Sequence, residues 1–259
     1  MSAAEILLAF VSGGLIGVVL GLVGGGGSIL AVPLLVYLVG VASPHAAIGT
    51  AAVAVAANAV AGLIGHARAG TVKWRCAAVF TVAGVIGAAI GAEAGKAFDG
   101  KRLLTLFGLL MVGIGLSMLR ERRTTDSPDV RLSRETASVL LPRLLPTGFA
   151  VGLTAGFFGI GGGFLIVPGL IAATAMPMSY AVGTSLVVVS ALGLTTATSY
   201  AMSGYVNWPL AAILVAGGIG GASLGILLGR RLAKHKGLLE RVFAITVILI
   251  GGVIAIRGG

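Results

Sequence analysis

The thirteen residues from Gly21 to Pro33, GLVGGGGSILAVP, return as Gly156 to Pro168, GFFGIGGGFLIVP, and each copy is built to bind an anion through its main chain. Each glycine lowers helix propensity by about 0.8–1.0 kcal/mol relative to alanine, so a run of them ends a helix and frees its amides. The helix that follows offers N-terminal N–H groups and roughly half a positive charge, which attract an anion. The candidate binding residues are therefore Gly24, Gly25, Gly26, Gly27 and Ser28 in the first copy and Gly161, Gly162 and Gly163 in the second. Ser28 is placed to cap the following helix. In the second copy Gly163 stands in its place and has only its amide to offer. Small residues also let helices cross closely, and that reading suits Gly84, Gly87, Gly91 and Gly95 and their counterparts Gly218, Gly221, Gly225 and Gly229. Runs of adjacent glycines break a helix instead of grooving it.

A second repeated element, Gly49-Thr50 and Gly183-Thr184-Ser185, lies early in the apolar segment after each loop, where Ser43-Pro44 reads as an N-cap with proline in the first turn. Its hydroxyls can bond their own backbone one turn back or touch a ligand; repetition beside the glycine loops favours the ligand. Asn58 stands near the centre of an apolar helix, opposite Leu192 in the other copy and with Thr195, Thr196 and Thr198 nearby there. It either lines a pathway or bonds between helices. Glu93 is the one carboxylate within an apolar segment, and Lys96 one turn on makes it an interfacial ion pair before a proton carrier. His45, His66 and His235 have no partner at metal spacing, and no metal or other cofactor is expected. GAEAGK, from Gly91 to Lys96, is one residue short of a P-loop, and no nucleophile, base and acid set exists within the spans, so the chain does not read as an enzyme.

What must position these groups follows from composition. With 57% hydrophobic and 10% charged residues and a mean hydropathy of +1.08, apolar windows of helix length follow one another from Ile6 onward. Crossing a ~30 Å hydrocarbon layer at 1.5 Å per residue requires such runs, whereas a soluble core does not. The fold class is all-α and polytopic in a membrane. The net charge of +10 comes from 18 Lys and Arg that sit almost entirely between apolar spans, as topology anchors do, so nucleic acid is not a partner. Cys76 is the only cysteine, which excludes an internal disulfide. The N-terminus, MSAAEILLAF, lacks a basic n-region and reads as mature sequence.

The duplication reaches well beyond the loops. Pro33 aligns with Pro168, Gly49-Thr50 with Gly183-Thr184, Trp74 with Trp208, and the spaced glycines after Trp74 with those after Trp208. Apolar segments near 6–22, 28–40, 45–66, 75–95 and 103–119 are followed by 144–158, 164–176, 180–200, 209–229 and 239–256, giving four to five per repeat. The short ones, 28–40 and 164–176, either cross or re-enter. An odd number of crossings inverts the second repeat relative to the first. The domain plan is a first repeat over 1–119, a polar cytoplasmic linker over 120–143 and an inverted second repeat over 144–259, with glycine-broken helices meeting at a central site. Charge agrees: Arg68, Lys73 and Arg75 in one turn become Met202, Asn207 and Pro209 in its copy, and one face collects 14 of the 18 Lys and Arg. That face is cytoplasmic by the positive-inside rule, which puts both termini in the periplasm.

The element Gly159 to Gly163, Pro168 and Ala181 to Thr184, a G-x-G-G-G, then P, then A-x-G-T, resembles the sulfite exporter TauE/SafE family, also called the toluene sulfonate uptake permeases. The likeness covers both halves, although the first copy reads four consecutive glycines. The resemblance implies a multi-pass protein of the bacterial inner membrane that moves sulfite or organosulfonates such as sulfoacetate. Half-helix N-termini suit such an oxyanion, and alternating access would rock one repeat against the other. An anion channel using the glycine loops as a filter is the alternative. The expected partners are a small anionic substrate and the lipid bilayer; a coupling proton or sodium ion and a homodimer stay open.

Overall fold

The computed structural model describes residues 3–23, 27–119, 132–133, 135–159, 163–231 and 236–257, and every element in them is helical. In chain order these are α1 (Ala3–Val23), α2 (Ser28–Pro33), α3 (Pro44–Arg68), α4 (Trp74–Lys96), α5 (Gly100–Leu119), α6 (Ala137–Phe158), α7 (Gly163–Thr174), α8 (Met178–Met202), α9 (Trp208–Arg231) and α10 (Lys236–Arg257). Seven of them, α1, α3, α4, α5, α6, α8 and α9, are long and apolar enough to cross a bilayer. Large apolar side chains such as Leu7, Val82, Leu194 and Leu249 stand exposed around the bundle, where lipid is their solvent.

The short segments are broken spans. Pro33 closes α2, and because proline withholds an amide the chain continues as a π-helical stretch over Leu34–Leu38, ended by Val39 N–H donating to the Leu34 carbonyl at 3.0 Å. Ser28–Leu38 spans only about 16 Å at 1.5 Å per residue, half a membrane. α7 is its counterpart, with Pro168 inside. Ser43 caps α3 as expected, its hydroxyl accepting from Ala46 N–H at 3.3 Å with Pro44 in the first turn. α6 differs from expectation. It begins at Ala137, inside the stretch read as linker, and carries Pro142 and Pro146 within its length. A proline early in a helix removes an amide that lacks a partner or nearly lacks one, so it punctuates less than its residue type suggests.

Each repeat packs chiefly on the other. α1 lies against α9, and equivalently α6 lies against α4; the counterparts α3 and α8 pair with each other, as do α5 and α10. Glycines carry these seams. A Cβ on Gly13, Gly17 or Gly21 would strike the backbone of α9 at Leu214, Gly218 and Ala222 in turn, so the two helices run parallel. Gly148, Gly152 and Gly156 meet Phe80, Gly84 and Ala88 of α4 in the same register. In contrast, Gly49 meets Tyr200, Gly193 meets Ala56 and Gly62 meets Leu186, so α3 and α8 are antiparallel; α5 and α10 likewise pair Gly108 with Gly251 and Gly115 with Ala244. Antiparallel pairing of equivalent helices is the relation an inverted copy requires.

These seams set a sharp contrast between neighbouring glycines. Gly221→Val, whose side chain would enter the Gly14 backbone, is expected to cost about 3 kcal/mol and abolish a monodisperse chromatographic peak. Gly220→Ala, which meets nothing within 4 Å, should raise the thermal midpoint in detergent, by up to about 1 kcal/mol in stability.

Candidate functional site

Of the glycine loops, Gly24, Gly25, Gly26, Gly161 and Gly162 lie outside the described residues, as does Ile160; their flanks are described. α1 ends at Val23 and the chain folds back on it. A Cβ on Gly27 would sit 2.6 Å from the Ile16 carbonyl oxygen and 2.6 Å from the Leu20 nitrogen, so only glycine fits there. Gly27, not Ser28, occupies the N-cap position, with φ −62° and ψ −26°, and Ser28 is the first, fully buried residue of α2. The N-cap therefore falls one position earlier than the serine, on the glycine that packs against α1. In the second half Gly159 ends α6 in the left-handed region at φ 66° and lies on Ile48 of α3, while Gly163 opens α7 and is buried. α2 and α7 touch each other, so the two broken segments do meet inside the bundle.

The Gly-Thr elements have a partner that the sequence analysis did not name. Thr50 is fully buried, and its hydroxyl oxygen accepts from the Asn207 N–H at 3.0 Å. Thr184, equally buried, accepts from the Lys73 N–H at 3.0 Å. Asn207 and Lys73 are themselves equivalent, each standing just before the repeated tryptophan. The glycine beside each threonine makes room: a Cβ on Gly183 would lie 2.6 Å from the Thr71 carbonyl oxygen, and one on Gly49 would enter the Tyr205 carbonyl. Each repeat thus closes its α3- or α8-type helix onto the other repeat's turn, once at each end of the antiparallel pair. The signal was present in the sequence, because Gly-Thr and the residue before tryptophan recur with one spacing in both halves. Ser185 bonds back to the Val182 carbonyl at 2.8 Å, the local habit of hydroxyls in helices.

Asn58 is fully buried, and among the described residues neither carboxamide atom has a hydrogen-bond partner. The interhelical bond is therefore missing, and the side chain rests on Gly218 of α9. Its counterpart Leu192 rests on Gly84 in the same way.

Glu93 pairs with Lys96 at 2.8 Å, as expected, and Lys96 also donates to Ser203 Oγ at 3.0 Å while Ser199 Oγ donates to Glu93 at 2.9 Å. This network ties the end of α4 to the end of α8, beside the tilted rings of His45, Tyr200 and Tyr205. At the opposite end Arg75 donates to the Leu132 carbonyl at 3.2 Å, which places the end of the linker beside the start of α4. Among the described residues no three His, Cys, Asp or Glu side chains converge on a metal geometry. A hollow of about 380 Å³ opens between the Leu30–Leu38 stretch and α10, walled by Leu30, Pro33, Tyr37, Leu249 and Val253. Its walls suit acyl chains better than an oxyanion.

Comparison with known proteins places these features in company. The family model described as sulfite exporter TauE/SafE matches residues 9–254. A probable membrane transporter protein of Xylella fastidiosa (strain Temecula1) is 49% identical over 255 residues, covering 96% of this chain and 95% of its own. A probable membrane transporter protein of Bacillus subtilis is 29% identical over 262 residues, at 95% of each chain. One from Methanocaldococcus jannaschii is 27% identical over 246 residues, at 88% of each. No solved structure matches the chain.

The two clasps are separable by hydrogen exchange. Thr50→Val should speed exchange at the Asn207 amide, corresponding to about 1–3 kcal/mol of lost protection, and leave Lys73 unchanged; Thr184→Val should do the reverse.

Proposed function

The chain belongs to the sulfite exporter TauE/SafE family, and from that premise we propose that it is a secondary carrier of small sulfur-containing anions, sulfite or sulfonates such as sulfoacetate, working by alternating access in the inner membrane. The observation that carries this reading is the mirrored pair of clasps, Thr50 to Asn207 and Thr184 to Lys73, at opposite ends of α3 and α8. Each joins the two repeats near one membrane face. Both are made in this structure, which in this proposal is the state closed at both faces; in alternating access each opens in turn as the repeats rock about the glycine seams.

The solute contacts in this proposal are the main-chain amides of the broken segments, Gly24 to Ser28 and Gly161 to Gly163, together with Asn58. The Gly49-Thr50 and Gly183-Thr184-Ser185 elements seat the gates beside them. A helix terminus contributes roughly half a positive charge, and main-chain donors hold an oxyanion without the permanent cation that would trap it. Orientation follows from charge. The end of the bundle that holds the turn with Arg68, Lys73 and Arg75 and the end of the linker at Leu132 is taken as cytoplasmic, which leaves the start of α1 on the periplasmic side.

Reconstitution decides between carrier and channel. Liposomes preloaded with unlabelled sulfite or sulfoacetate should accumulate labelled solute transiently, with uptake that saturates, and Gly163→Val should remove it. Ohmic anion currents without counterflow would instead make the same loops a filter.

A further inference from the structure

Asn58 stands halfway along α3, and leucine fills the same slot in the other repeat without any polar need. Packing alone therefore does not ask for an amide here. Leaving its donor and acceptor buried and unpartnered costs about 1–3 kcal/mol for each group, which something other than the protein must offset. Its position is also informative. The amide lies on Gly218, whose carbonyl faces Gly17 of α1, and Gly27 leans on α1 at Ile16 and Leu20. The amide and Gly27 stand at one height along α1.

Resting on the transport reading above, and for sulfite among its solutes, we propose that Asn58 selects the singly charged, proton-bearing form, hydrogensulfite. A hydrogen-oxyanion such as hydrogensulfite carries negative oxygens that accept from the Nδ2–H group and an O–H that donates to Oδ1. A fully ionised dianion has acceptors only, and would set a negative oxygen against Oδ1. Charge argues the same way. The Born cost of burial rises with the square of the charge, about fourfold for a dianion over a monoanion. Against that cost the facing stretches, 13–22 of α1, 28–33 of α2, 182–199 of α8 and 214–226 of α9, hold no Lys, Arg or His, and no Asp, Glu, Cys or Tyr. Titratable and charged groups on α3 and α8 stand toward their ends, His66 and Arg68 at one and His45 and Tyr200 at the other, and the two further elements that touch α3 carry Tyr37, in the Leu34–Leu38 stretch, and Lys101 and Arg102, in the first turn of α5. Dependence on pH then belongs to the solute, which brings its proton across with it and needs no titrating side chain in the span.

The test is equilibrium binding to the full-length protein in nanodiscs, with sodium sulfite under anaerobic conditions as probe across its second ionisation, and methanesulfonate as a monoanion with no proton to give. The apparent Kd for total sulfite should rise about tenfold per pH unit above that ionisation, while that for methanesulfonate stays flat. Asn58→Leu, which copies the Leu192–Gly84 pair, should raise the ligand-free thermal midpoint and weaken sulfite binding by about tenfold or more. Sulfite affinity that is flat or improves with rising pH would overturn the proposal, as would unchanged sulfite binding by a folded Asn58→Leu, the result expected if a buried water alone satisfies the amide. If the wild-type protein binds no oxyanion at any pH, the transport reading itself fails and takes this inference with it.

Discussion

A polypeptide that leaves its helix inside a bilayer must find partners for every amide and carbonyl it frees, because lipid supplies none. This constraint organises the molecule. The chain leaves helix after α1 and after α6, and the described flanks of those breaks lie against other helices or are buried, Gly27 on α1, Gly159 on α3 and Gly163 at the start of α7. Gly27 shows the cost in sequence terms, since even a methyl group there would collide with α1. Close backbone approach substitutes for the hydrophobic force that drives helices together in water but is absent between helices in lipid.

Interdigitation follows from the same requirement. α1 has its parallel partner α9 in the other repeat, α6 has α4, and α3 and α8 hold each other. A half of this chain on its own would face lipid with glycine grooves that present bare backbone. Exchange of partners also makes the symmetry useful: a hydrogen bond made at one end of the α3–α8 pair, Thr50 with Asn207, has its image at the other, Thr184 with Lys73. The two halves differ where chemistry differs. Asn58 replaces leucine, Ser28 replaces glycine, and the cations of one turn are absent from its copy.

Much of this was legible in the residues. Long apolar windows gave the crossing helices to within a few positions, because lipid imposes both length and composition on a span. The repeat announced the pseudo-symmetry, and Ser43-Pro44 marked the start of α3 correctly. Sequence reading misplaced the cap at Ser28, since which of five adjacent small residues starts a helix depends on tertiary packing, and it is Gly27 that meets α1. The start of α6 was set too late because the polar linker was carried through to 143, past the first turns of a helix that tolerates Pro142. The partners of Thr50 and Thr184 could not be found from either helix alone, as each bond spans more than a hundred residues and joins one repeat to the other. For Asn58 the sequence offered two roles, a pathway lining and a bond between helices, and among the described residues neither carboxamide atom has a hydrogen-bond partner.

The central claim is that the two repeats cross the membrane in opposite senses, so that equivalent turns become gates on opposite faces. Cysteines at Ala69 and Ser203, exposed and equivalent in the turns after α3 and α8, test it directly in intact cells with Cys76 replaced by serine. An impermeant maleimide should label Ser203→Cys from outside and reach Ala69→Cys only after the cells are opened. Labelling of both positions from the same side would contradict the account.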